Sequence, residues 1–239
     1  MKNDASLETA IARILEHRYE CDRVIVVVSA MGRFPDSYAT DTLASLATHL
    51  TPKHKDRLIS VGELISALVL ENKCLQHSLD ACALTIAETG IITDDNYQKG
   101  HVLAVSDKVL KQALREHEIL IVPGFSGTSL TGNTVTLGRG GSDYSAFLIA
   151  EALHVPFVTI YTDVKGIYDQ DPHQHPEAKM IHQMSFDDLL ELIEQGAKVM
   201  QKESVLYAKR KNISFEVCST FSGRPGTLVC NQNQECSCK

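Results

Sequence analysis

The chain has 239 residues, 44% of them hydrophobic, a net charge of −7 and seven cysteines. That length and apolar content are enough for a full core in one large domain or two small ones. The acidic balance and the lack of a basic cluster argue against nucleic acid or an anionic membrane as partner; with no long apolar run and no apolar segment at Met1 to Ser6, the expected location is cytoplasmic.

In chain order, the pattern predicts a helix over Ala5 to His17, a strand over Val24 to Val28, a helix over Leu58 to Glu71 and another over Lys108 to Glu116. A strand over Ile119 to Val122, a helix over Tyr144 to His154 and a strand over Phe157 to Tyr161 follow. Phe186 to Lys211 reads as helical, opening on Ser185 with Asp188 placed for a capping box and divided by Gly196, and Phe215 to Cys218 reads as a last strand. The alternation predicts an α/β fold with an open, mostly parallel sheet, because near-continuous apolar strands suit burial on both faces. No internal repeat, linker or domain boundary is evident. Cys21, Cys74, Cys82 and Cys218 read as small core residues, and residues 230–239, with Cys230, Cys236 and Cys238 at a spacing unlike a zinc site, read as a polar tail.

Three strands end in small, polar or glycine-bearing turns: Ser29-Ala-Met-Gly32, Pro123-Gly-Phe-Ser126 and Thr162-Asp-Val-Lys-Gly166. Ligands of open parallel sheets bind outside the carboxyl ends of the strands, so these turns point to one shared pocket. Thr136-Leu-Gly-Arg-Gly-Gly-Ser-Asp143 should border it. There, a strand breaks into glycines around an arginine and leads into a helix, with Ser142 as the expected N-cap. The free N–H groups of that helix start and the fork of Arg139 suit a phosphate or a carboxylate. A tight strand-to-helix turn with a surface arginine is the other reading.

In this order, Val27-Val-Ser-Ala-Met-Gly-Arg33 with Tyr38-Ala-Thr-Asp-Thr42, Ser60-Val-Gly-Glu-Leu-Ile-Ser66, Val122-Pro-Gly-Phe125, Gly138-Arg-Gly-Gly-Ser-Asp143, Tyr161-Thr-Asp-Val-Lys-Gly166, Asp171-Pro172 and Gln195-Gly-Ala-Lys-Val199 resemble the aspartate kinases of the amino-acid kinase family. The similarity runs over nearly the whole chain to Val229. It implies a three-layer α/β/α sandwich over residues 1–229 and transfer of the γ-phosphoryl group of ATP, with Mg²⁺, to the β-carboxylate of L-aspartate, the first step toward lysine, threonine and methionine. Uridylate and acetylglutamate kinases share the fold but are not expected to carry the Gly-Glu and Arg-Gly-Gly-Ser-Asp pair.

By the same resemblance, Arg139 would grip the aspartate carboxylate and Glu63 the substrate ammonium. Ser29, Thr40, Gly140, Gly141 and Ser142 would complete the substrate site, and Asp143 would organise phosphoryl transfer. Thr162, Asp163, Gly166 and Tyr168 would hold the adenine and ribose. Lys198 would bind phosphate as a second catalytic group. No metal ligand of the protein is assigned; a homo-oligomer is allowed. The bland alternatives are a helix-dipole role for Glu63, a helix-start acid at Asp143, a turn serine at Ser29 and a solvated Lys198.

Three departures from the family pattern shape the expectation. Family members open with a strand and Lys-Phe-Gly-Gly-Thr-Ser, whereas this sequence begins at the helix that should follow. His173 stands where an arginine usually follows Asp-Pro. The regulatory ACT domains are not in this sequence, so feedback through its own chain is not expected. A shortened, weakly active or inactive nucleotide-binding homologue or subunit is therefore the alternative function, and a kinase for a related amino acid is a third.

Overall fold

The apolar run at Ile119 forms the middle of a parallel sheet, and Ile119, Leu120, Ile121 and Val122 are all fully buried. The computed structural model describes residues 3–170, 175, 177–197 and 199–231. The chain divides into two compact units, Met1–Leu153 and His154–Lys239.

The first unit runs α1 (Asp4–Glu20), β1 (Val24–Val28), α2 (Thr40–Leu46), α3 (Pro52–Ile59), α4 (Val61–Gln76), β2 (Ala81–Ala83), β3 (Ile91–Thr93), β4 (Val102–Val105), α5 (Lys108–Glu116), β5 (Ile119–Pro123), β6 (Ser126–Ser129), β7 (Thr134–Thr136) and α6 (Gly141–Ala152). β5 pairs in parallel with β1 on one side and β2 on the other. Side chains alternate across a strand, so Ile119 and Ile121 join Ile11, Ile14, Ala67, Leu70 and Cys74 of α1 and α4, while Leu120 and Val122 join Leu110 of α5 and Ile149 of α6. The result is a helix–sheet–helix sandwich inside this unit. A second sheet, in the order β4-β3-β6-β7, is antiparallel except for β3 with β6.

The second unit runs β8 (Phe157–Thr162), β9 (Ile167–Tyr168), β10 (Met180–Ile181), β11 (Gln183–Ser185), α7 (Phe186–Glu194), α8 (Lys202–Lys211), β12 (Ser214–Ser219) and β13 (Gly223–Cys230). Its main sheet has the order β11-β13-β12-β8, with β12 parallel to β8 and antiparallel to β13. Phe186 of α7 packs on Phe215 of β12, with ring centroids 5.9 Å apart. In the same strand Glu216 is buried, paired to Arg224 at 2.6 Å and to the Gly226 N–H at 2.8 Å.

The four strands expected from the sequence are all present, within a wider set of short strands. The capping box of Ser185 and Asp188 is formed, and the helical stretch after it divides as expected. Three local expectations fail. The helix over Leu58 to Glu71 is two helices: at Ser60 ψ is −11° and the hydroxyl bonds back to the Arg57 carbonyl, which turns the chain between α3 and α4. Cys21 is exposed rather than core, because it ends α1 in extended conformation with its N–H on the His17 carbonyl. Cys230 is buried as the last residue of β13, opposite Ser185, while Cys236 and Cys238 lie outside the described residues. Cys74 and Cys218 do sit in the core, and burial pushes their thiols up to about 11 and about 12.

Gly226 shows how closely the second sheet is built: a Cβ there would lie 1.9 Å from the Val217 carbonyl oxygen. Gly226→Ala should lower stability by about 1–3 kcal/mol through forced displacement of the strand, read as the loss in a denaturant melt.

Candidate active site

β1 and β5 run side by side with Val28 opposite Pro123, so both strands leave the sheet at one edge, where the Gly124 N–H bonds to the Val28 carbonyl at 3.0 Å. The turn after β1 carries Ser29 and Ala30, and the turn after β5 carries Gly124 and Phe125. The start of α6 presses directly on the second turn. A Cβ on Gly124 would sit 2.9 Å from Ser142 Cα, and one on Gly141 would sit 3.0 Å from the Phe125 ring. Ser145, fully buried, fastens the contact: its Oγ accepts the Phe125 N–H at 3.1 Å and donates to the Gly141 carbonyl at 2.8 Å. Two of the three strand-end turns thus converge within this unit, with the glycine-arginine loop beside them. The third, after Tyr161, belongs to the second unit.

The loop itself corrects one expectation. The N-cap of α6 is Gly140 at φ 71°, not Ser142, and it has no side-chain cap. Gly138 at φ 81° and Gly140 both take the left-handed conformation, which turns the chain tightly enough to place Gly141 and Ser142 already inside the helix. A capping hydroxyl is therefore lacking, and the amides of Ser142 and Asp143 have no acceptor among the described residues. Such a pair of N–H groups at the positive end of a helix attracts an anion. Arg139 is exposed on the same loop and forms no ion pair among the described residues. Asp143 is half-buried with no donor to its carboxylate among those residues, and burial pushes its carboxyl up to about 6.

Glu63 lies in the first turn of α4, 2% exposed. Gly62 lets this turn approach the chain after β1, since a Cβ there would be 2.7 Å from the Tyr38 carbonyl oxygen and 2.9 Å from Ala30 Cβ. Oε1 of Glu63 accepts the Ala30 N–H at 3.2 Å and the Thr40 hydroxyl at 3.3 Å, while Oε2 is buried with no partner. Burial pushes the carboxyl up to about 7 against the pull of those hydrogen bonds. This is no surface helix-dipole glutamate. An enclosed carboxylate with one oxygen unsatisfied suits a cation of ammonium type. Ser29 is exposed at the mouth of the same turn, with no hydrogen bond among the described residues.

In the second unit, the Thr162 carbonyl at the end of β8 accepts the N–H and hydroxyl of Thr220 at 2.8 and 3.0 Å, and its hydroxyl donates to Asp163 at 3.1 Å. Gly166 follows, buried, where a Cβ would be 2.7 Å from Thr227 Oγ1 and 2.9 Å from Met180 Sδ. Tyr168 pairs with Met180 across β9 and β10. Thr162 and Asp163 thus stand at the carboxyl end of β8, while Gly166 and Tyr168 follow in the chain against Met180 of β10. Lys198, His173 and Asp171-Pro172 lie outside the described residues.

One buried carboxylate escaped the sequence reading. Asp56 of α3 is fully buried and accepts the Gln98 N–H at 2.8 Å, the Thr136 N–H at 2.8 Å and the Thr136 hydroxyl at 3.1 Å. The signal was present: Asp56, Ile59, Glu63 and Ser66 recur at helical spacing on a face that Leu70 continues, and carboxylates there have no reason to be solvated. Among the described residues no group of three or more His, Cys, Asp or Glu could hold a metal ion, and no helix is long and apolar enough to cross a membrane.

The amino acid kinase family model matches residues 1–219. Aspartokinase 1 of Bacillus subtilis is 36% identical over 233 residues, 96% of this chain and 58% of that protein. Among solved structures, E. coli aspartokinase III in complex with aspartate and ADP superposes with a TM-score of 0.72 at 36% identity, covering 82% of this chain and 45% of that one. The aspartate kinase of Synechocystis gives a TM-score of 0.80 at 33% identity, covering 95% and 38%. The chain spans about half the length of the curated relatives it matches.

Glu63 makes stability depend on pH in a definite sense. Below the ordinary carboxyl value of 4.5 it is protonated folded and unfolded; above that, the unfolded chain releases its proton first, so folding is penalised until the folded group ionises at about 7. Compared with Glu63→Gln, the wild-type protein should lose about 3 kcal/mol of unfolding free energy between pH 4.5 and pH 7, at about 1.4 kcal/mol per unit, read from paired denaturant melts.

Proposed function

The chain belongs to the amino acid kinase family, and we propose that it forms the catalytic part of an aspartate kinase, transferring the γ-phosphoryl group of ATP to the β-carboxylate of L-aspartate to give 4-phospho-L-aspartate and ADP. The observation that carries this is the 36% identity with a bacterial aspartokinase across 96% of the chain. The geometry of the first unit agrees with a substrate bearing one ammonium and two carboxylates.

Glu63, with Oε2 open and Thr40 and Ala30 on Oε1, receives the ammonium. Arg139 receives a carboxylate through its fork, and Ser29 and the turn Gly140, Gly141 and Ser142 line the approach. The acceptor carboxylate is already ionised near neutrality, since its unperturbed pKa is ~4, so no strong general base is required. The barrier is the meeting of an anion with a polyanion. The amides of Ser142 and Asp143, without an acceptor among the described residues, and the positive end of α6 lower it by facing the charge that spreads over the transferring group.

Mg²⁺ enters in this reading with the nucleotide and screens its phosphate oxygens, as is usual for an ion that keeps most of its water shell. Asp143 fits such an ion: its half-buried carboxylate has no donor among the described residues, and an adjacent cation would relieve that burial. On the second unit, Thr162, Asp163, Gly166 and Tyr168 are the proposed contacts to adenosine, and Lys198 is the proposed phosphate cation.

The test is incubation with ATP, Mg²⁺ and L-aspartate in the presence of hydroxylamine. Aspartyl hydroxamate and stoichiometric ADP are expected; nucleotide-induced thermal stabilisation without transfer, or turnover with another carboxylate alone, would overturn the assignment. Arg139→Ala should lower kcat/KM for aspartate about 100-fold, the loss of a charge-assisted bidentate contact, and Arg139→Lys should recover only part of it.

A further inference from the structure

We infer that Asp56 is a positioning residue for Arg139, acting through the backbone of the glycine-arginine loop; the role rests on the aspartate kinase reading above. Burying a carboxylate is costly unless donors replace its water. Asp56 is fully buried, and three donors meet its two oxygens: the N–H and hydroxyl of Thr136, and the N–H of Gln98. A contact that merely packed α3 on β7 would be made at lower cost by an apolar side chain. A carboxylate is the group that can take several donors at once, and these donors come from the two segments that frame the loop.

Thr136 is the last residue of β7, two positions before Gly138. Gln98, in the left-handed conformation at φ 70°, turns its carbonyl beneath the loop, 3.5 Å from where a Gly138 Cβ would be. The Gly100 N–H then bonds to the Thr136 carbonyl at 2.8 Å, closing the frame. Arg139 follows at once, exposed and without an ion pair among the described residues. Among the described residues no side-chain partner aims the guanidinium, so its aim is set by the backbone, and the backbone is set where Asp56 grips it.

Asp56→Asn keeps the shape but turns an NH₂ group onto donors; Thr136→Val removes one donor and suits a strand. KM for aspartate should rise about tenfold in Asp56→Asn and about threefold in Thr136→Val, with KM for ATP and kcat changed by less than about twofold. Hydrogen exchange at residues 137–143 should accelerate in both variants while β1 and β5 stay protected. Unchanged KM for aspartate with unchanged exchange, or a uniform fall in every parameter that tracks stability, would overturn the inference. Should Asp56→Asn not fold, Thr136→Val decides. Should the wild-type protein not phosphorylate aspartate, the functional reading fails separately, and the exchange of residues 137–143 in Thr136→Val still decides whether Asp56 holds the loop.

Discussion

The in-phase parallel pairing of β1 with β5 is the constraint on which the candidate site depends. Val28 opposite Pro123 brings the two strand ends to one edge, and the bond from Gly124 to Val28 holds the turns together as they diverge. A shift of one residue would move every β5 side chain to the wrong helical layer, since Ile119 and Ile121 serve one face and Leu120 and Val122 the other. The core therefore fixes the register, and the register fixes the distance between the chain after β1, which Glu63 reads, and the chain after β5, against which α6 begins.

Two buried carboxylates on consecutive helices then divide the labour. Asp56 is saturated with donors and serves to hold a loop. Glu63 has equal burial but keeps one oxygen open. The difference lies in their neighbours, β7 and a tight turn for the first and the chain after β1 for the second. The break at Ser60 puts the two carboxylates on separate helices with different partners, whereas the helix expected over Leu58 to Glu71 held only Glu63 of the two.

Much of this was legible in the sequence where one pattern dominated. The four apolar strands and the capping box at Ser185 rest on local periodicity and local hydrogen bonding, so a single sequence suffices to find them. The assignment of Glu63 and Arg139 to one substrate came from resemblance, and its physical sense, an enclosed carboxylate and a guanidinium without an ion pair among the described residues, needed coordinates. Strands of three or four residues such as β3 and β6 were missed because Ile91–Thr93 or Ser126–Ser129 is too short to show alternation, whereas β7 was legible from the β-branched run that breaks into the glycine-arginine loop. Ser142 was misread as a cap because Gly140, two residues before it, takes a positive φ and starts the helix earlier than propensity rules foresee. Asp56 was overlooked because it stands before Leu58, where the expected helix began, in the charged run Lys53 to Arg57 that reads as solvated.

The open oxygen of Glu63 has a consequence for the ledger of protons. Near neutrality a carboxyl at about 7 is partly protonated when its pocket is empty. A cation that settles beside Oε2 favours the ionised form, so its arrival drives a proton into solvent. Capture of the ligand and release of an acid are then a single event, with a heat that changes with the ionisation enthalpy of the buffer.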